Sequence, residues 1–170
     1  MNTSIKKYGT GSIYFDGTGD NLQIPSSPTF AMGGGDWTVE MWLYPNNVSS
    51  LQALLSFGSG TWRFFLNSSG LWFLNSAASI VQTSQSIIST GQWYHVAVCK
   101  NGSSVRIFLN GTQVGGTGTD TNNYASAIAY IGSEAAGSYL NGYIDDLRVT
   151  KGVARYTANF TAPTASFGTK

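Results

Sequence analysis

An all-β domain of two antiparallel sheets is the fold class this sequence predicts, and three observations predict it. Short runs rich in β-branched and aromatic residues recur along the chain. Clusters of Gly, Asn, Ser and Pro separate them, and no segment carries the apolar spacing of a long helix. At 170 residues the chain can bury a core without disulfides or metals, and no repeat or shift in composition divides it. One domain over 1–170, with its core at about 11–167, is expected.

The elements follow in order. Strands at 12–16 and 21–24 flank a turn of Asp, Gly and Thr. A strand at 37–44 alternates, with Trp37, Val39, Met41 and Leu43 on one face and Thr38, Glu40, Trp42 and Tyr44 on the other. Large apolar groups on both faces fit either a central strand covered on both sides or one that presents aromatics to a groove. A short apolar run predicts a strand at 53–57, and Asn67-Ser68-Ser69-Gly70 joins aromatic-rich strands at 63–67 and 71–75. Another strand is expected at 79–83. Asn101-Gly102 and Asn110-Gly111 tolerate the positive φ of tight hairpins, so 93–114 reads as a three-stranded meander containing strands at 93–100 and 105–110. The Gly- and Thr-rich stretch 115–124 reads as a long loop, followed by strands at 127–132 and 142–150. Residues 152–156 read as a short helical turn leading into a C-terminal tail.

Nine Lys and Arg against eight Asp and Glu leave a formal charge of +1, which supplies no broad field for phosphate backbones or anionic lipid. Nucleic acid is therefore not an expected partner. No run approaches the roughly 18 apolar residues of a membrane span, and 1–11 lacks the apolar region of a secretory signal. Only 10% of residues are charged, so the polar surface is built from uncharged hydrogen-bonding groups, as suits an extracellular or particle-borne β-protein.

Five strings occur in a telling order: Phe15-Asp16-Gly17-Thr18-Gly19-Asp20-Asn21-Leu22, Trp37-Thr38-Val39-Glu40-Met41-Trp42-Leu43-Tyr44-Pro45, Trp93-Tyr94-His95-Val96-Ala97-Val98, Phe108-Leu109-Asn110-Gly111 and Gly142-Tyr143-Ile144-Asp145-Asp146-Leu147-Arg148-Val149. Their order and spacing resemble the laminin-G-like branch of the concanavalin A-like lectin/glucanase superfamily, over nearly the whole chain. The ending from Arg148 to Tyr156, followed by Phe160 and Pro163, resembles laminin-G-like domains of bacteriophage tail and fibre proteins. The resemblance implies a jelly roll of two curved sheets. For function it implies sugar binding or adhesion on a virion or extracellular surface, with a cell-surface glycan or other virion proteins as partners. A virion spacer or decoration domain is the alternative.

Retaining glucanases of that superfamily carry two Glu residues on one strand. Here Glu40 and Glu134 are the only two glutamates and fall on different segments. A polysaccharide-cleaving enzyme would need an unfamiliar arrangement of Glu40, Asp36 or Glu134. The single His95 and Cys99 stand four apart on one expected strand, about 13 Å, too far for a catalytic dyad. No catalytic residue is expected.

Calcium is the one metal the sequence raises, because Ca²⁺ takes several oxygen ligands on flexible turns. Asp16 and Asp20 share one turn, and the resemblance implies that Asp145 on the last strand supplies a third carboxylate. For sugar binding, rings that stack on pyranose faces and amides that order the hydroxyls are required. Trp62, Trp72, Tyr124 and Tyr139 lie near expected turns beside Asn67, Asn75, Asn122 and Asn123, and of these Asn67 and Asn122 are the amide candidates.

Overall fold

The computed structural model describes residues 1–168 except 59, 60, 77, 85 and 136. Twelve strands run in chain order: β1 (Ile13–Asp16), β2 (Leu22–Ile24), β3 (Trp37–Pro45), β4 (Gln52–Phe57), β5 (Trp62–Asn67), β6 (Gly70–Asn75), β7 (Ser79–Gln82), β8 (Tyr94–Asn101), β9 (Ser104–Leu109), β10 (Thr112–Thr119), β11 (Ala129–Ile131) and β12 (Asn141–Lys151). They form two antiparallel six-stranded sheets. The first has the order β1-β12-β3-β8-β9-β10 and the second β2-β11-β4-β5-β6-β7. The predicted sandwich is the fold observed.

The core lies between the sheets and takes the inward face that alternation assigned to β3, namely Trp37, Val39, Met41 and Leu43. It meets Leu55, Phe57, Trp62, Phe64 and Phe73 from the second sheet. Trp37, Trp62 and Phe73 form a mutually tilted aromatic cluster with centroids 5.0 to 5.5 Å apart. Each buried large side chain contributes about 1.5–3 kcal/mol, so this cluster is a strong contact between the two sheets.

Two expectations are corrected. The stretch 115–124 is not one long loop, because β10 continues through its glycines to Thr119 and pairs with β9. A Cβ at Gly118 would stand 2.2 Å from the Ile80 carbonyl oxygen, and one at Gly115 2.9 Å from that of Gln82. These glycines let the edge of one sheet approach the edge of the other and close the sandwich on that side. Residues 152–156 form no helical turn. They begin a non-regular strap that crosses the outer face of the first sheet. A 3-10 turn at Pro28–Phe30, capped by Ser27, was not foreseen.

The strap explains why β3 is apolar on both faces. Thr38 Oγ1 donates to the Val153 carbonyl and accepts from the Arg155 amide, fixing the strap at its start. Tyr156 and Phe160 then stack face to face at 3.5 Å and pack on Ala97, Cys99 and Phe108. The Phe160 amide donates to Gly111 O, and that of Phe167 to Asp146 Oδ2. Asp146 holds a left-handed φ of 51° at a bulge in β12, the kind of kink that re-aims a side chain. At the N-terminus, Lys7 lies over the Trp42 ring with Nζ 4.0 Å from its centroid.

Candidate functional site

Beyond the roof formed by these terminal segments, the same outer face is open. Register brings one aromatic from each of three adjacent strands into line there. Tyr14 on β1 pairs with Tyr143 on β12, and Tyr143 with Tyr44 on β3. Trp93, just ahead of β8, extends the row. Successive ring centroids are 4.8, 5.6 and 5.5 Å apart, and the planes are tilted or perpendicular, giving a herringbone ladder. Such edge-to-face packing holds the rings at fixed angles.

Tyr14 is 42% exposed, Tyr44 and Trp93 are half-buried, and Tyr143 sits deeper between its neighbours. Among the described residues, nothing hydrogen-bonds the three tyrosine hydroxyls or the Trp93 indole N–H. By strand alternation Asp16 and Asn141, which pair across β1 and β12, share this face and border the ladder at one end. Gln92, next to Trp93, gives its amide to the Tyr94 hydroxyl and is not part of that border, whereas Gly91 lies close enough that a Cβ there would stand 3.9 Å from the Tyr44 hydroxyl. The arrangement offers apolar ring faces, free hydroxyl donors and a rim of amide and carboxylate groups.

Beneath the roof lies a second polar cluster. Glu40, fully buried, accepts from the Tyr156 hydroxyl at 2.7 Å, Arg148 Nη2 at 2.7 Å and Nε at 2.9 Å, and His95 Nε2 at 3.2 Å. Arg155 Nε stands 3.7 Å away. Burial alone would raise the Glu40 carboxyl, but hydrogen bonds from His95, Tyr156 and Arg148 outweigh it and hold the group below its ordinary range. Burial, then the hydrogen bond to Glu40, pushes the Tyr156 hydroxyl up, so it stays a donor. Burial likewise pushes the Cys99 thiol up to about 11, leaving it inert at neutral pH.

The sequence-predicted sugar contacts are not brought together. Trp62 is a core residue, completely buried against Trp37 and Phe57, and offers no face to a ligand. Tyr124 is also buried, its hydroxyl donating to Asp120 Oδ2, and Asn122 donates to Asp120 Oδ1. Trp72 is half-buried on the outer face of the second sheet, its indole N–H given to Ser79 Oγ. Asn67 spends its carbonyl on the Ser69 amide in the β5–β6 turn, and Tyr139 is half-buried on the connection into β12. The aromatics that do converge, Tyr14, Tyr44, Tyr143 and Trp93, were missed. The available signal was that each neighbours an inward core residue: Phe15, Leu43, Ile144 and, one residue on, Tyr94.

The three calcium candidates do not fit a common ion. Asp16 pairs with Asn141, so Asp145 lies four strand positions away, about 13 Å. Both Asp145 oxygens are taken by backbone amides, those of Lys7 and Tyr8 at Oδ2 and that of Asp146 at Oδ1. Asp16 and Asp20 act within their own turn, accepting from Thr18 and from the Asp16 amide. Among the described residues, no group of three or more His, Cys, Asp or Glu is placed to hold a metal ion.

The carboxylates proposed for cleavage are likewise apart. Glu40 is on the outer face of the first sheet, whereas Glu134 pairs with Arg63 at 3.1 Å on the outer face of the second, with the core between them. Asp36, at the head of β3, holds the Gly102 amide at 2.7 Å and lies four residues, about 13 Å, from Glu40.

Residues 16–155 match the concanavalin A-like lectin/glucanases superfamily, in its laminin G form. The chain belongs to that superfamily. Among solved structures, it resembles domain 4 of AbnA, a GH43 extracellular arabinanase from Geobacillus stearothermophilus, solved with arabinotriose. That likeness has a TM-score of 0.67 at 22% identity and covers 84% of this chain and 71% of that one. The mouse laminin α1 chain domains LG4-5 give 0.66 at 13%, covering 89% and 46%. A Trypanosoma rangeli sialidase gives 0.64 at 14%, covering 88% and 26%. This chain thus spans under half of the laminin fragment and about a quarter of the sialidase. The superfamily fold occurs in binding domains and within glycosidases alike. No curated protein sequence matches the chain.

Proposed function

We propose that this superfamily member is a non-catalytic glycan-binding module whose ligand lies on the ladder of Tyr14, Tyr143, Tyr44 and Trp93. The ladder is the observation that carries the reading: rings fixed by mutual packing, Tyr14 exposed and Tyr44 and Trp93 half-exposed, with free hydroxyls and a polar rim, are what a sugar face requires. The reading is non-catalytic because Glu40 is sealed from solvent and Glu134 lies across the core from it. The setting we propose is adhesion on a phage or other viral particle, supported by the resemblance of the string from Arg148 to Tyr156. There a weak single site would gain affinity through repetition.

The test is a glycan array probed with the whole chain and with Trp93→Ala and Tyr14→Ala. The expected result is binding to a defined glycan set that each substitution weakens about tenfold or more, as removal of an aromatic anchor does, with unfolding temperature little changed. A second reading, a virion spacer contacting other proteins, is favoured by the roofed half of the outer face, where the chain fills its own groove with Tyr156 and Phe160. Absence of glycan binding by the unsubstituted chain would favour it.

A further inference from the structure

The sheets close on one side, where β10 meets β7, but stay parted on the other, between β12 and the β2–β11 edge. β1 pairs only with residues 141–144 of β12, so the rest of β12 pairs with no strand on that flank. A cavity of about 410 Å³ opens there, within the ~300–1,000 Å³ of small-molecule sites. Its floor is the buried surface of Met32, Leu55, Phe57 and Ala129. Phe30 and Val149 stand at its mouth, 42% and 38% exposed.

One charged side chain lines it, Lys151, which is exposed and makes no hydrogen bond or ion pair among the described residues. The surface that continues past Lys151 carries Arg148, Thr150 and Arg155. Arg148 and Arg155 share the buried Glu40, and Asp36, whose carbonyl accepts from the Gly152 amide, commits its carboxylate to the Gly102 amide. The mouth is therefore positive and the interior apolar. A neutral apolar ligand would leave the lysine unused, and a sugar would leave its hydroxyls unpaired against the floor. An unbranched chain ending in one negative charge satisfies both parts.

We propose that this inter-sheet cavity binds a free medium-chain alkanoate, its methylenes among the floor residues and its carboxylate at Lys151. The site is separate from the aromatic ladder, which lies on the outer face of the first sheet, and its test is independent of glycan binding.

The experiment is isothermal titration calorimetry of the whole chain with decanoate below its micelle-forming concentration, and with octanoate and decanol. Saturable decanoate binding is expected. Octanoate should bind more weakly by about fourfold per methylene lost. Lys151→Gln should weaken decanoate about fivefold and leave decanol unchanged. Ala129→Leu, which fills the floor, should abolish both, with its unfolding transition confirming the fold. Absent saturable heat, equal affinities for the two acids, or an equal effect of Lys151→Gln on decanol would each overturn the proposal. So would Lys151-dependent sedimentation with phosphatidylglycerol vesicles in place of free-acid binding.

Discussion

At the scale of single residues, Glu40 carries the largest electrostatic commitment in the molecule. A buried carboxylate is costly unless its lone pairs are filled, and here Tyr156, Arg148 and His95 fill them. Removing the charge strands Arg148 against a buried amide and loosens the strap through Tyr156. Glu40→Gln should therefore lower stability by about 3 kcal/mol, read from urea unfolding at pH 7. The pH dependence has a definite sign. Because the folded state holds Glu40 below its ordinary value, its contribution is complete above about pH 4.3 and is lost as pH falls through the lower folded value. The gap between the native chain and Glu40→Gln should close on acidification over that window. Asp146, raised by burial and by Asp145, works weakly against this slope. A constant gap down to pH 2 would show that the cluster contributes packing rather than charge.

At the scale of elements, glycine decides where the two sheets touch. A methyl at Gly118 would have to displace the Ile80 carbonyl from 2.2 Å, and neither β7 nor β10 can yield without breaking its ladder. Gly118→Ala should cost about 2 kcal/mol or more, seen as a fall of about 4–8 °C in unfolding temperature. Unchanged stability would mean that this edge is loose. The same glycines mark the limit of what the sequence discloses. Alternation placed Trp37, Val39, Met41 and Leu43 in the core, and Asn-Gly pairs placed the hairpins, because both signals are local. A glycine required by an opposing backbone reads locally as a loop, so β10 was cut short. The ladder was hidden for a related reason. Tyr14, Tyr44, Trp93 and Tyr143 become neighbours only through the register of strands far apart in sequence. Trp62 misled because its place beside a turn suggested exposure, whereas cross-sheet packing buries it.

At the scale of the whole molecule, one outer face is divided between two tasks. The half over Glu40, Trp42 and His95 is sealed by the chain's own termini, and the half over Tyr14, Tyr44 and Tyr143 is left open. Asp145 belongs to the sealing, since its carboxylate captures the Lys7 and Tyr8 amides and ties the N-terminal segment to β12. Asp16 belongs to the open half, bordering the ladder opposite Asn141. Carboxylates assigned to such different work have no reason to converge on one ion. Glycan binding on the array should accordingly be the same in calcium and in chelator, and Asp145→Asn should lower unfolding temperature without changing the glycan profile. Loss of binding on chelation would place a cation at the Asp16–Asp20 turn. The ladder's rim would then have to be redrawn around a metal, with Asp145 still outside it.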